Sequence, residues 1–183
     1  MRKKGGTGVR PTRTPVWLVL FLIALIAGGA VRAEDISGTI ATTRTIMNDS
    51  KLVGDVTCTV TGASCIVFGA SGITLDLNGF TMIGRGDSQT GCRGGFPAGV
   101  PERSENGILA AMQRNVSIRG PGLVQQFRAS GFFSNESNAV TVTGATFSTN
   151  CLSGILVGGG SDHRFEGNIS VRNGNGTSPC GGI

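Results

Sequence analysis

The chain has 183 residues, with 31 glycines, nine phenylalanines, one tryptophan and no tyrosine, which is room for one domain and hardly for a second. Its formal charge of +5 is lopsided: Arg2, Lys3, Lys4, Arg10, Arg13 and Arg32 all precede Glu34, the first acidic residue. The remainder carries ten basic against eleven acidic residues. A near-neutral body lacks the electrostatic footprint of nucleic-acid binding, and no nucleic-acid partner is expected.

In chain order, residues 1–33 come first. Met1 to Pro15 is polar and basic, and Val16 to Ala27 (VWLVLFLIALIA) is an unbroken apolar run of twelve. Gly28 and Gly29 end it, and Val31-Arg32-Ala33 sets modest side chains before a cut at Glu34. This is the order of a secretory signal peptide with a short helical core. A retained anchor is the rival reading, but the run is short of the roughly 20 residues that span a bilayer. The expectation is an exported chain, in the periplasm, at the cell surface or secreted, that meets the membrane only transiently through its signal. The body is then residues 34–183.

Export changes how the five cysteines read, because disulfides persist outside the cytoplasm. Cys58 and Cys65 flank a Thr-Gly-Ala-Ser turn, and Cys58, Cys65, Cys151 and Cys180 are the disulfide candidates. The odd count leaves one thiol free or paired with something outside this chain. There is no CxxC and only one histidine, His163, so no zinc site and no other metal site is expected.

A repeat emerges when the glycines are aligned. Asn106-Gly107-Ile108, Ser130-Gly131-Phe132, Ser153-Gly154-Ile155 and Gly181-Gly182-Ile183 recur at steps of 24, 23 and 28 residues. A second marker keeps step: Val116 to Gly120, Val140 to Gly144 and His163 to Gly167. Leu75 to Gly79 is an earlier copy, 41 residues before Val116. The excess of about 17 or 18 residues forms a loop near Arg85 to Glu105. Short alternating strands closed by Gly or Asn predict half-buried β structure, all-β, in coils of about 23 residues that only stacking can bury. On this alignment Leu75/Val116/Val140/His163 and Leu77/Ile118/Val142/Phe165 point inward. Gly79, Gly120, Gly144 and Gly167 mark bends, and Asn115/Asn138 and Asn150/Asn173 repeat as candidate side-chain ladders.

The runs Ile73 to Gly84 (ITLDLNGFTMIG) and Asn115 to Phe133 (NVSIRGPGLVQQFRASGFF), followed by SGILV and FEGNISVRN, resemble the right-handed parallel β-helix proteins of the pectin-lyase-like superfamily. The resemblance covers about Ile36 to Ile183 and implies a right-handed parallel β-helix, or solenoid. It does not choose among lyases, hydrolases, epimerases and non-catalytic surface proteins, all of which share that fold. The marker at Gly182-Ile183 implies that further coils, or an oligomer partner, would cover the last one.

Outward positions carry any chemistry. The columns Asp76/Ser117/Thr141/Arg164 and Asn78/Arg119/Thr143/Glu166 place Asp76, Arg119, Arg164 and Glu166 on one face of mixed charge. Under a pectate-lyase-like reading such carboxylates would hold calcium and a basic residue would take a proton from an acidic sugar. No cofactor is expected otherwise. The resemblance lacks its enzyme motifs: Asn-Thr-Asp, Asp-Asp, Gly-His-Gly and Arg-Ile-Lys are absent, and Arg114 and Arg119 do not make the Arg-x-Pro-x-x-Arg pattern. His163 falls in an inward column and is read as a satisfied buried or coil-edge histidine rather than a catalytic base.

Without Trp or Tyr after residue 33, a sugar site lacks its usual amphipathic plate. Phe68, Phe127, Phe147 and Phe165 fit the interior. The loop contains Arg85-Gly86-Asp87, an adhesion-like tripeptide that is also a good exposed turn. The expected function is a non-catalytic exported scaffold or binding module, with a polysaccharide or a cell-surface component as partner. The alternatives are an enzyme acting on acidic polysaccharides, a lyase or hydrolase or a fragment of one, and an adhesin-like protein using the loop.

Overall fold

The structure, a computed structural model, describes Gly5, residues 33–86, Cys92 and residues 104–174. The apolar run expected to be a signal peptide, Asp87, most of the expected loop, Cys180 and the final Gly-Gly-Ile marker lie outside the described residues. Among the described residues there are fifteen strands and no helix, and so no helix long and apolar enough to cross a membrane.

Three strands open the body: β1 (Glu34–Ile40), β2 (Arg44–Ile46) and the nine-residue β3 (Ser50–Cys58). Then a set of three short strands repeats. The first set is β4 (Ile66–Phe68), β5 (Thr74–Asp76) and β6 (Thr81–Ile83), and the second is β7 (Ile108–Ala111), β8 (Ser117–Arg119) and β9 (Leu123–Gln125). The third is β10 (Phe132–Asn135), β11 (Thr141–Thr143) and β12 (Thr146–Ser148), and the fourth is β13 (Ile155–Gly158), β14 (Arg164–Glu166) and β15 (Ile169–Val171). Every strand pairing is parallel, and those among the four sets join equivalent strands of successive sets. The protein is therefore an all-β, solenoid-like stack of parallel strands.

The stack has three faces. One runs β5, β8, β11, β14 and a second β6, β9, β12, β15; both grow from β3, whose start pairs with β5 and whose end pairs with β6. The third runs β2, β4, β7, β10, β13. Alternation along each strand sends one set of side chains inward, where Phe68, Phe132, Phe147, Ile118 and Met82 are fully buried. Phe127 is also buried and Phe165 packs partly buried against the same core, as expected of them.

The observed register corrects the glycine alignment by two residues. Leu75 pairs with Ile118 rather than with Val116, so the inward columns are Leu75/Ile118/Val142/Phe165 and Ile73/Val116/Val140/His163. The cause is turn length. Four residues (Leu77 to Phe80) join β5 to β6, three (Gly120 to Gly122) join β8 to β9, and two (Gly144-Ala145) join β11 to β12. Matching glycine to glycine slips the earliest coil. Because side chains alternate with a period of two, a slip of two leaves every inward and outward assignment intact.

Of the four bend glycines, Gly79, Gly144 and Gly167 have φ of 84°, 67° and 61°, conformations a Cβ would strain. Gly120 serves close approach instead: a Cβ there would lie 2.0 Å from the Gly144 carbonyl oxygen.

Candidate functional site

The four charged candidates occupy the outer side of the β5, β8, β11, β14 face. The corrected register changes their company: the outward columns are Thr74/Ser117/Thr141/Arg164 and Asp76/Arg119/Thr143/Glu166. Asp76 is thus paired directly with Arg119, and Lys51 and Asp35 continue the same column toward β1. The Asp76 carboxylate caps its own turn by accepting the Asn78 N–H at 2.8 Å. Arg164 and Glu166, two apart on one strand, form an ion pair with Nε–Oε1 of 2.7 Å. The guanidinium hydrogen bond holds Glu166 below the usual carboxylate range, and Glu166 in turn raises Arg164. Both are exposed. Among the described residues no group of three or more His, Cys, Asp or Glu is placed to hold a metal ion.

His163 is half-buried, and its Nδ1 is covered without a hydrogen-bond partner, so the histidine is not fully satisfied. Its ring stacks on Phe165 with centroids 6.0 Å apart, and Nε2 lies 3.4 Å from the Gly159 carbonyl. The predicted amide ladder forms at one of its two places. Asn173 Oδ1 accepts both the Asn150 N–H (2.9 Å) and its Nδ2 (3.0 Å), whereas Asn115 meets Asn138 through backbone only. The Asn138 side chain instead accepts from Ser161.

Cys58 and Cys65 lie at disulfide distance, with Cα atoms 6.1 Å apart. Cys151 is paired with Cys92, Cα atoms 5.6 Å apart, and this replaces the expectation that set Cys151 with Cys180 among the bridging residues. Cys151 Sγ also sits against Gly86, where an added Cβ would lie 2.9 Å from it.

The third face holds a feature that the pattern of charged residues does not reveal. Leu109 and Phe133 pair in register with Val67 below and Leu156 above, all on the outside and all partly covered. They are the second members of the doublets Ile108-Leu109, Phe132-Phe133 and Ile155-Leu156. Two apolar neighbours on a strand cannot both face inward, and that was the available signal. Over Val67, Leu109 and Phe133 lies a groove of ≈330 Å³. Its edges are Thr43, Ser64, Ser104, Asn106 and Asn135, and no charged residue lines it among the described residues. One wall is internally tied: Ser64 Oγ donates to the Ser104 carbonyl at 3.0 Å, Asn106 Nδ2 to Ser64 Oγ at 3.2 Å, and Thr43 Oγ1 to the Ser64 carbonyl at 2.8 Å. An apolar floor with a few fixed amides and hydroxyls is the usual make-up of a small-molecule site.

No family model, no curated protein and no solved structure matches this chain.

Proposed function

We propose that this chain is an exported right-handed parallel β-helix of the pectin-lyase-like kind, acting without catalysis as a binding module at the cell surface or in the periplasm. Its ligand is an uncharged saccharide chain laid along the third face. The observation that carries this reading is the uncharged groove over Val67, Leu109 and Phe133, edged by amides and hydroxyls. A sugar ring offers an apolar face and a rim of hydroxyls, and Phe133 with the half-buried Thr43 and Asn135 offers the complement. An acidic sugar would meet no cation among the described lining residues, at the cost of shedding its hydration.

Calorimetric titration of the whole chain with cellohexaose and with hexagalacturonate tests this. Heat of binding from the neutral oligosaccharide, lost in Phe133→Ala, is the expected result. Binding of hexagalacturonate alone, or its cleavage to unsaturated products, would replace the proposal with an acidic-sugar enzyme centred on Asp76, Arg119, Arg164 and Glu166. In that case Arg119→Ala and Arg164→Ala would abolish the cleavage.

A further inference from the structure

Glu105 is a carboxylate with 4% of its surface exposed, at the point where the chain re-enters the stack after the inserted loop. Burying a carboxylate is costly unless it is paired and hydrogen-bonded. Oε1 accepts the Gly62 N–H at 2.8 Å, and Oε2 faces the Arg128 guanidinium with Nε at 3.8 Å. Arg85 lines the same small cavity but is turned to Thr61, whose Oγ1 accepts from Nη1 at 2.7 Å.

Glu105 thus reaches the two segments that make one wall of the groove. Ser104 and Asn106 flank it in sequence and line the groove, and Gly62, Ala63 and Ser64 line it from the Cys58–Cys65 loop. Asn106 is bound again on its far side, its Oδ1 accepting the Ser130 N–H at 3.1 Å. The carboxylate does not face the groove. Its effect passes through Gly62 and through its own backbone.

We infer that Glu105 is the positioning residue of this groove: its buried carboxylate locks the Gly62–Ser64 segment to the Ser104–Asn106 segment and so sets the shape that a ligand meets. This rests on the reading of the groove as the binding surface. Gln keeps an oxygen for the Gly62 N–H, whereas Ala keeps nothing, so the pair separates positioning from bulk.

Amide hydrogen exchange on the full chain reads the lock without any ligand. In Glu105→Ala the Gly62 and Asn106 amides exchange about tenfold faster or more, and in Glu105→Gln they stay within about threefold of the parent. The Thr141 amide, bonded to the Val116 carbonyl at 2.9 Å on a different face of the stack, is unchanged in both. Unaltered exchange in Glu105→Ala, or Thr141 loosening together with Gly62 and Asn106, would overturn the inference, the latter by making Glu105 a prop of the whole fold. Cellohexaose affinity falls about tenfold or more in Glu105→Ala and recovers in Glu105→Gln; undiminished affinity beside loosened amides would also overturn it. If the parent binds no neutral saccharide, the proposed function fails, and the exchange result still decides the role of Glu105.

Discussion

Thr149 concentrates two local costs in one residue. Its φ is 53°, which a β-branched side chain tolerates poorly, and its Oγ1 is buried without a hydrogen-bond partner. The strain belongs to the position: Gln126, Thr149 and Arg172, spaced by 23 residues, all have positive φ, as do Asn115, Ala139 and Asp162. The stack imposes one turn conformation on whatever residue arrives there. Thr149→Gly removes the clash and the orphan hydroxyl, and we expect a net gain of about 1 kcal/mol after the added chain entropy of glycine, read as a higher Tm. Glu166 gives the opposite lesson. Its carboxyl is held down by Arg164, so whatever the pair contributes is present above the usual Glu range and lost as pH falls through the lowered value. Arg164, raised further, stays charged at any pH the fold survives. Solvent screens an exposed pair of this kind. The Tm of Glu166→Gln should therefore track that of the parent from pH 3 to pH 8, and a clear separation above pH 5 would show that the pair matters.

At the scale of the element, the strands were legible because their alternation is local chemistry. Val116, Ile118, Val140 and Val142 point inward as their pattern says. What alternation cannot supply is register, since turns of four, three and two residues absorb the differences between coils without disturbing it. That is why Asp76 was set beside Ser117 and belongs beside Arg119. The groove was overlooked for a related reason. Attention to charge passed over Leu109 and Phe133, whose exposure follows only once their buried neighbours Ile108 and Phe132 are assigned. The Gly-Ile-type marker also acquires a cause. A Cβ on Gly131 would lie 2.7 Å from Phe147 Cδ1 and 2.9 Å from the Gly154 carbonyl oxygen, so the marker glycine is where one coil presses on the next. Gly131→Ala should destabilise the fold by about 1–3 kcal/mol in denaturant titration, although its φ suits alanine.

At the scale of the whole molecule, contacts run mainly between successive coils, so covalent ties that skip along the chain have unequal value. Cys58–Cys65 closes a separation of seven residues and Cys92–Cys151 one of 59. Loop-closure entropy assigns about 2 kcal/mol to the first and about 4 kcal/mol to the second. Cys92→Ser should consequently lower stability more than Cys58→Ser, a ranking that chemical denaturation of the two variants checks. The faces differ in the same spirit: one carries mixed charge in register, while another carries a groove without charge among its described lining residues, one wall of which Glu105 holds from behind. The proposed function requires ligand to meet the third face. Chemical-shift mapping of the isotope-labelled chain during addition of cellohexaose tests this most directly. The prediction is saturable movement of the Val67, Leu109, Phe133 and Asn135 signals, with Asp76, Arg119, Arg164 and Glu166 still. Movement centred on those four charged residues, or no movement at all, would contradict it.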